Sequence, residues 1–569
     1  MDIRFQVLLG RFVFFVFAFF QCVSGCRNID PRDFISHAAV GLVEKSIPDL
    51  LNGQIKDSMD NYYGAIPDSY GIHHPSSCAG FIQNLASVYS QPSSTYFHSA
   101  ALLHAMTLAS IYLLKSQHDD GTIDLLTTNF HSTPDLAFAV EPLALAYKIL
   151  TLDSIPEEEI LLENIKTFLV NGGQALSVGG IHTPNHRWVV SMALARINNL
   201  FPDTKYISRI NEWLDEGIDI DADGQYNEKS TYIYSPLTNR ALITVARLTE
   251  NKQLYESVRK NLGLTPFLIH PNGTLVTETS RRQDQFLSRP SDIYYYAYRY
   301  MAVHDQDENF GAMANYLEKN YGSSLNASLL PYALEDSSLW NPYPIGSKMD
   351  KYDTLFKQGG IARWRDENMD ASLISNNSTL FTFSNANAML QAVRLSSAFF
   401  GKGQFKADSL FRIENGYQLV QSLQAPYYQP YSKNEVDPGG DWDKMARENR
   451  KQSEIQKLHY SIKAHLIDNA WLLEFDVQGT AGVPVAVELS FKKGGQLLNV
   501  IKLNDNSDIY ILKSKFATYK YHQSEIEFGP GTNAHTWTQI RGAEPKIEGM
   551  SVYFTGYTPF NHTLTIRGR

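Results

Sequence analysis

From Asp30 to about Leu339 the apolar residues recur at helical spacing. Residues 34–51 carry them three and four apart, and residues 99–114 are apolar almost all round, as a buried helix is. Further helices are predicted over 137–150, 158–171, 188–200, 205–217 and 235–249, separated by breaks carrying Gly, Pro, Asp and Asn. Repeated helical hairpins without a fixed repeat length point to a toroid of paired helices and away from a solenoid. Near Asn341-Pro342-Tyr343-Pro344 the pattern changes. Short β-rich runs follow at 371–374, 380–383, 458–466, 471–475, 485–491 and 551–555, the density expected of an antiparallel sandwich. Residues 430–456 are polar and charged and read as a long surface loop.

The first residues have a different character. Arg4 and Arg11 precede an apolar run, 12–20, which is too short to span a bilayer and has the size of a signal-peptide core. Val23-Ser24-Gly25-Cys26 then looks like a bacterial lipobox, with Cys26 as the lipidated first residue of the mature chain; an ordinary secretory signal cut nearby is the alternative. The expected order is therefore a signal peptide over 1–25, a helical domain over 26–345 and a β-domain over 346–569. Export to the periplasm or cell surface of a bacterium, with anchoring to the outer membrane through the lipid, follows from that reading. Of the three cysteines, Cys22 is removed, Cys26 is lipidated and Cys78 has no partner, so no disulfide framework is expected.

A net charge of −10 argues against nucleic acid as a partner. If the ligand is an anion, the positive field must be local. The 32 Tyr and 30 Phe suit stacking on sugars, although most aromatics in a chain this size fill the core.

Three polar islands stand out in the helical part. The first is His182-Thr183-Pro184-Asn185-His186-Arg187-Trp188. The second runs from Asp223-Gly224-Gln225-Tyr226-Asn227-Glu228 through Lys229-Ser230-Thr231-Tyr232-Ile233-Tyr234 and closes with Asn239-Arg240. The third is Thr277-Glu278-Thr279-Ser280-Arg281-Arg282-Gln283-Asp284. Amide, imidazole, phenol and guanidinium at helix ends suit removal of a proton next to a carboxylate. Such chemistry needs donors that neutralise the carboxylate, a base for the carbon-bound proton and an acid for the leaving oxygen.

An Asn-His pair ahead of a helix, then Asp-Gly-X-Tyr-X-Glu-X-Ser and a Tyr about fifty residues later, resembles the heparinase II/III-like polysaccharide lyases and related alginate lyases. The resemblance implies an α+β multidomain chain, an incomplete (α/α) toroid followed by an antiparallel β-sandwich. It implies cleavage of a uronic-acid-containing glycan by β-elimination, leaving a 4,5-unsaturated end. Asn185 maps onto the carboxylate-neutralising Asn, His186 onto the adjacent His, and Tyr234 onto the catalytic Tyr, with Tyr232 as the neighbouring choice because the spacing after Ser230 fits neither in full. The family also implies a further Tyr or His from the sandwich, for which Tyr427, Tyr428 and Tyr431 are weak candidates. Its metal-binding His pattern is not evident in this sandwich, so neither metal nor cofactor is expected.

Arg187, Arg240 and Arg282 are candidates for the anionic polysaccharide substrate, as are Asn129, His131 and His74 in two loops nearer the N-terminus. Arg394 and residues 401–405 of the sandwich are fainter ones. Each has a plainer reading. Asn185 alone is a good helix N-cap, Asp223-Gly224 is a turn, Glu228 is an acid that orients a neighbour, and Arg281-Arg282 is a solvated pair. His73-His74 has no acid at a diagnostic metal spacing. Two other functions compete. A glycoside hydrolase needs two carboxylic acids across the scissile bond, and Asp135, Glu228 and Asp284 form no convincing pair. A non-catalytic, surface glycan-binding lipoprotein needs none of this chemistry. Oligomeric state is not legible.

Overall fold

The computed structural model describes residues 37–153, 155–504 and 507–569. The signal peptide, Cys26 and the start of the first predicted helix lie outside the described residues. The helices are α1 (His37–Gly53), α2 (Pro75–Tyr89), α3 (Ala100–Ser116), α4 (Thr133–Leu150), α5 (Glu159–Val178), α6 (Pro184–Leu200), α7 (Thr204–Asp215), α8 (Tyr234–Thr249), α9 (Leu254–Leu264), α10 (Tyr295–Asp305), α11 (Glu308–Tyr321) and α12 (Ser323–Glu335). None is long and apolar enough to cross a membrane. The switch to strands falls between Trp340 and Lys351.

The chain divides into two compact units. The first comprises residues 1–179, 200–202 and 321–342, and so holds α1–α5 and α12. Its helices bury continuous apolar faces, such as Leu102, Met106, Ala109 and Leu113 of α3 and Leu136, Val140, Leu143 and Ala144 of α4. A short hairpin, Ile123–Leu125 with Asn129–Ser132, interrupts them. It was not predicted, because three- and four-residue strands of mostly polar sequence carry no alternation to read.

The second unit comprises residues 180–199, 203–320 and 343–569. It joins α6–α11 to the whole β-region. The strands form two sheets, one of nine and one of eight strands. Pairing is antiparallel except where Ile509–Ile511 runs parallel to Met550–Tyr557. Side chains of the two sheets meet in one core that includes Phe381, Leu395, Tyr460, Trp471, Val487 and Leu489. Trp364 meets Trp471 edge to face at 5.8 Å.

The sheets differ in how they are covered. In the eight-stranded sheet, Gln452–Ile467 alternates buried and exposed residues along much of its length, the mark of one wet face. It starts inside the stretch expected to be loop. In the nine-stranded sheet, Ile361–Asp366, Ala388–Ser397 and Pro484–Phe491 are buried almost continuously. Helical-region backbone packs on the outer face here. Arg363 donates from Nε to the Phe267 carbonyl at 2.7 Å, and Asn377 donates to the Glu278 carbonyl at 3.1 Å. Asp223 accepts from the amides of Gln358 and Gly359. The site-bearing helices and the sandwich are thus held as one body.

Candidate active site

Pro184 opens α6, where its missing N–H is not needed and its fixed φ suits the first turn. Asn185 is therefore inside the helix and not its N-cap. Its side chain is buried, and Nδ2 donates to both carboxylate oxygens of Glu228 at 2.9 Å and to Thr183 Oγ1 at 3.2 Å. Asn185 Oδ1 is buried and meets no hydrogen-bond partner among the described residues. His186, one residue on, is also buried and meets the His182 ring edge-on at 4.7 Å.

Glu228 comes from the turn that precedes α8. That turn needs its glycine: Gly224 has φ +94°, and a Cβ there would meet the Lys260 carbonyl oxygen at 2.4 Å. Asn261 Nδ2 fixes the turn by donating to the Gly224 carbonyl, and Tyr226 donates to Asn239 Oδ1. Glu228 accepts from Asn185 on one side and from Arg282 Nη1, at 3.3 Å, on the other. Burial raises its pKa, against the lowering pull of the Asn185 hydrogen bond and the Arg282 charge.

The second and third islands are zipped together by backbone. Arg281 N donates to the Lys229 carbonyl at 2.9 Å, Thr231 N to Ser280 Oγ at 3.1 Å, and Tyr232 N to Asp284 Oδ2 at 3.0 Å. Ser230 Oγ accepts from the Tyr234 amide at 3.1 Å and so starts α8. This zip sets Gln283 and Arg282 against Tyr234. Gln283 Nε2 donates to the phenol oxygen at 2.7 Å, and the Arg282 guanidinium lies over the ring, 4.8 Å from its centroid. Asn185, Glu228, Arg282, Gln283 and Tyr234 thereby form one continuous cluster. Tyr234 and Tyr232 are both half-buried, but Tyr232 lies under Arg289, at 5.3 Å, and not under Arg282.

Other expected residues fall elsewhere. Arg187 is held by the protein itself: its guanidinium pairs with Asp219 at 3.0 Å and Glu216 at 3.2 Å, donates to the Gly217 carbonyl and stacks on Trp188. Arg240 is half-buried on α8, six residues past Tyr234. Asn129, His131 and His74 belong to the first compact unit. There Asn129 donates to Asp135 at 2.8 Å, His131 pairs with Asp120 at 2.8 Å and stacks on His118, and His74 lies 3.7 Å from Asp68. Of the acids available to a hydrolase, Asp135 is taken up by Asn129 and Ser132, Asp284 is buried under Tyr232 N and Ser280, and Glu228 holds Asn185 and Arg282. In the sandwich, Tyr431 donates to the Ala446 carbonyl, Tyr428 lies under Arg447, and Arg394 is paired with Glu488.

Sequence reasoning missed Gln283 as a partner of Tyr234. It also missed His270, which is buried between Asp370 of the sandwich (Nδ1 to Oδ2, 2.9 Å) and Glu278 (Nε2 to Oε1, 3.1 Å). Burial pulls the His270 pKa down, but the carboxylates of Asp370 and Glu278 outweigh it and raise it to about 9. His270 is thus an imidazolium donating from both nitrogens. Glu278 belongs to the island that carries Arg282 and Gln283, so this network ties that island to the sheet.

No family model matches the chain, and no curated protein matches it in sequence. Solved structures do match. Heparinase III is 11% identical, with 94% of this chain and 85% of that chain covered, at a TM-score of 0.56. Chondroitin AC lyase of Streptomyces coelicolor A3, in complex with chondroitin sulphate, is 11% identical, with 94% and 79% covered, at 0.55. Xanthan lyase of Paenibacillus is 11% identical at 0.53, with 93% of this chain but only 57% of that chain covered. At this identity the likeness is one of fold. It bears out the expected class, a helical toroid followed by an antiparallel β-sandwich, and the resemblance to polysaccharide lyases at that level.

Proposed function

We propose that the protein is a polysaccharide lyase that cleaves a uronic-acid-containing glycan by β-elimination. The observation that carries this reading is the cluster in which Gln283 and Arg282 meet Tyr234 while Arg282 shares Glu228 with Asn185, in a chain with the fold of lyases that act on polysaccharides. The proton on C5 is made acidic by neutralising the adjacent carboxylate, which is the task of Arg282 and the first turn of α6, braced by the bond from Asn185 to Glu228. Tyr234 takes part in the proton transfer, with His186 of the first turn of α6 as its proposed partner, and Gln283 fixes the phenol oxygen. The electron pair of the C5–H bond becomes the C4–C5 double bond as the C4–O4 bond breaks, and O4 leaves with a proton. Glu228 sets the positions of Asn185 and Arg282 and does not itself meet the sugar.

The substrate class follows from charge. An acidic chain that gathers a guanidinium and amide donors at one point is arranged for an anionic sugar. In this reading the protein is exported and held at a membrane through Cys26. The test is absorbance near the ultraviolet edge during incubation with a panel of uronic-acid polysaccharides. A rise marks the conjugated double bond; hydrolysis or simple binding gives none.

A further inference from the structure

Within the second unit, a cavity of about 580 Å³ lies beside the proposed active site. One wall is the stretch that follows Gln283 directly, with Phe286 and Leu287 turned to the cavity. The opposite wall is sandwich, with Lys492, Lys493, Lys546 and Arg394. Gln283 and Phe286 are three residues apart, so their Cα atoms lie within about 11 Å, a gap that one oligosaccharide bridges.

Both walls are fixed before any ligand arrives. Arg394 donates to the Pro545 carbonyl at 3.0 Å and Gln391 to the Glu548 carbonyl at 2.6 Å. On the other side the Leu287 amide donates to the Asp284 carbonyl, and Thr277 Oγ1 donates to the Leu287 carbonyl at 2.8 Å. Lys492 Nζ spans the two walls by donating to Ser288 Oγ at 3.0 Å. Phe286 has φ +63°, a conformation that costs a bulky residue energy and that clusters at ligand clamps.

The charges around the cavity do not balance. Arg394 is neutralised by Glu488, Glu544 has its own cation in Lys406 at 2.6 Å, and Lys493 stands 3.8 Å from Glu548. Among the described residues, Lys492 and Lys546 contact a hydroxyl and backbone carbonyls and no carboxylate. Two ammonium groups without a carboxylate partner therefore face the cavity, in a chain of net charge −10.

We infer that this cavity is a second binding site for an acidic sugar unit of the glycan, with Lys492 and Lys546 on its carboxylate or sulfate group and Phe286 against the ring. The inference rests on the proposed glycan substrate, but not on the elimination chemistry. A preformed site of this kind raises affinity for a longer chain and sets where the chain lies relative to Tyr234.

The experiment is calorimetric titration of the full chain carrying Tyr234→Phe, in which turnover is lowered by about 10²–10⁴-fold. The probes are hexasaccharides of unsulfated chondroitin, chondroitin sulfate, heparin and polygalacturonate. At least one is expected to bind, with Lys492→Gln and Lys546→Gln each weakening it about tenfold and Lys492→Arg restoring it. Preference for chondroitin sulfate over unsulfated chondroitin assigns the lysines to a sulfate; equal binding assigns them to the carboxylate. Unchanged affinity in both Gln variants, or no binding by any probe, overturns the site. If binding depends on the lysines while the wild type forms no unsaturated product, the elimination reading fails and this site stands.

Discussion

The Asn185 amide donates to both carboxylate oxygens of Glu228, across 43 residues of sequence. One nitrogen is thus committed to an acid inside the protein, and the amide oxygen is left buried, with no hydrogen-bond partner among the described residues. This fixes the plane of the amide relative to Arg282, which shares the same carboxylate. Removing the charge of Glu228 should loosen both at once. Glu228→Gln, close in shape, is expected to lower kcat by about 10²-fold, the cost of displacing a positioned group by an ångström. Asn185→Ala should likewise lower kcat, because it releases Glu228 and with it the position of Arg282. Steady-state kinetics on the cleaved glycan check both.

Tyr234→Phe removes one hydroxyl from a half-buried ring, so thermal stability should change little. Turnover should fall by about 10²–10⁴-fold, the range for a lost general acid or base. Tyr232→Phe, whose ring is covered by Arg289 and not by Arg282, should keep near-normal turnover. If the two variants exchange these outcomes, the catalytic phenol is Tyr232.

The His270 network predicts a dependence of stability on pH. Its pKa is raised from 6.5 to about 9 in the folded chain. The native state therefore holds a proton that the unfolded chain releases. The stabilisation is complete below about pH 6.5 and is lost as pH rises through about 9, on the order of 3 kcal/mol in all. Asp370 shows the same contact from the other side: against its burial, His270 and Arg363 hold its pKa far below 3.8, so its contribution fades only in strong acid. Denaturant unfolding at pH 6.5 and pH 9.5 should show the loss, and His270→Gln should flatten it. Asp370→Asn leaves buried cations short of a partner and should cost about 3–5 kcal/mol at neutral pH.

Cys26 gives a prediction about location. Cys26→Ala should move the protein from the membrane fraction to the soluble exported fraction, since a lipoprotein's several acyl chains are what anchor it. Retention in the membrane with an unchanged N-terminus would end the lipobox reading.

The helices were legible because long apolar periodicity survives any tertiary context. Residues 188–200 and 235–249 were expected, and α6 and α8 occupy Pro184–Leu200 and Tyr234–Thr249. Asn185 and Tyr234 were legible as candidates because each sits in a short polar island at a helix start. Their partners were not. Gln283 meets Tyr234 across 49 residues through a zip of backbone bonds that no local pattern announces. Arg187 looked like a free cation because Glu216 and Asp219 lie 29 and 32 residues further on, past α7. His270 stands alone in a His-Pro-Asn-Gly turn, and its two acids come from a later island and from another fold class altogether.

That last arrangement bears on how the protein would look to a geneticist. Glu278 is gripped at its carbonyl by Asn377 and at its carboxylate by His270, which leans in turn on Asp370. A blind screen for loss of activity would therefore return alleles in the strand Met369–Ile374 and the turn after it, alongside those in the islands. Such alleles would map to the sandwich and read as a second active centre, while their effect would travel through one loop of the helical part.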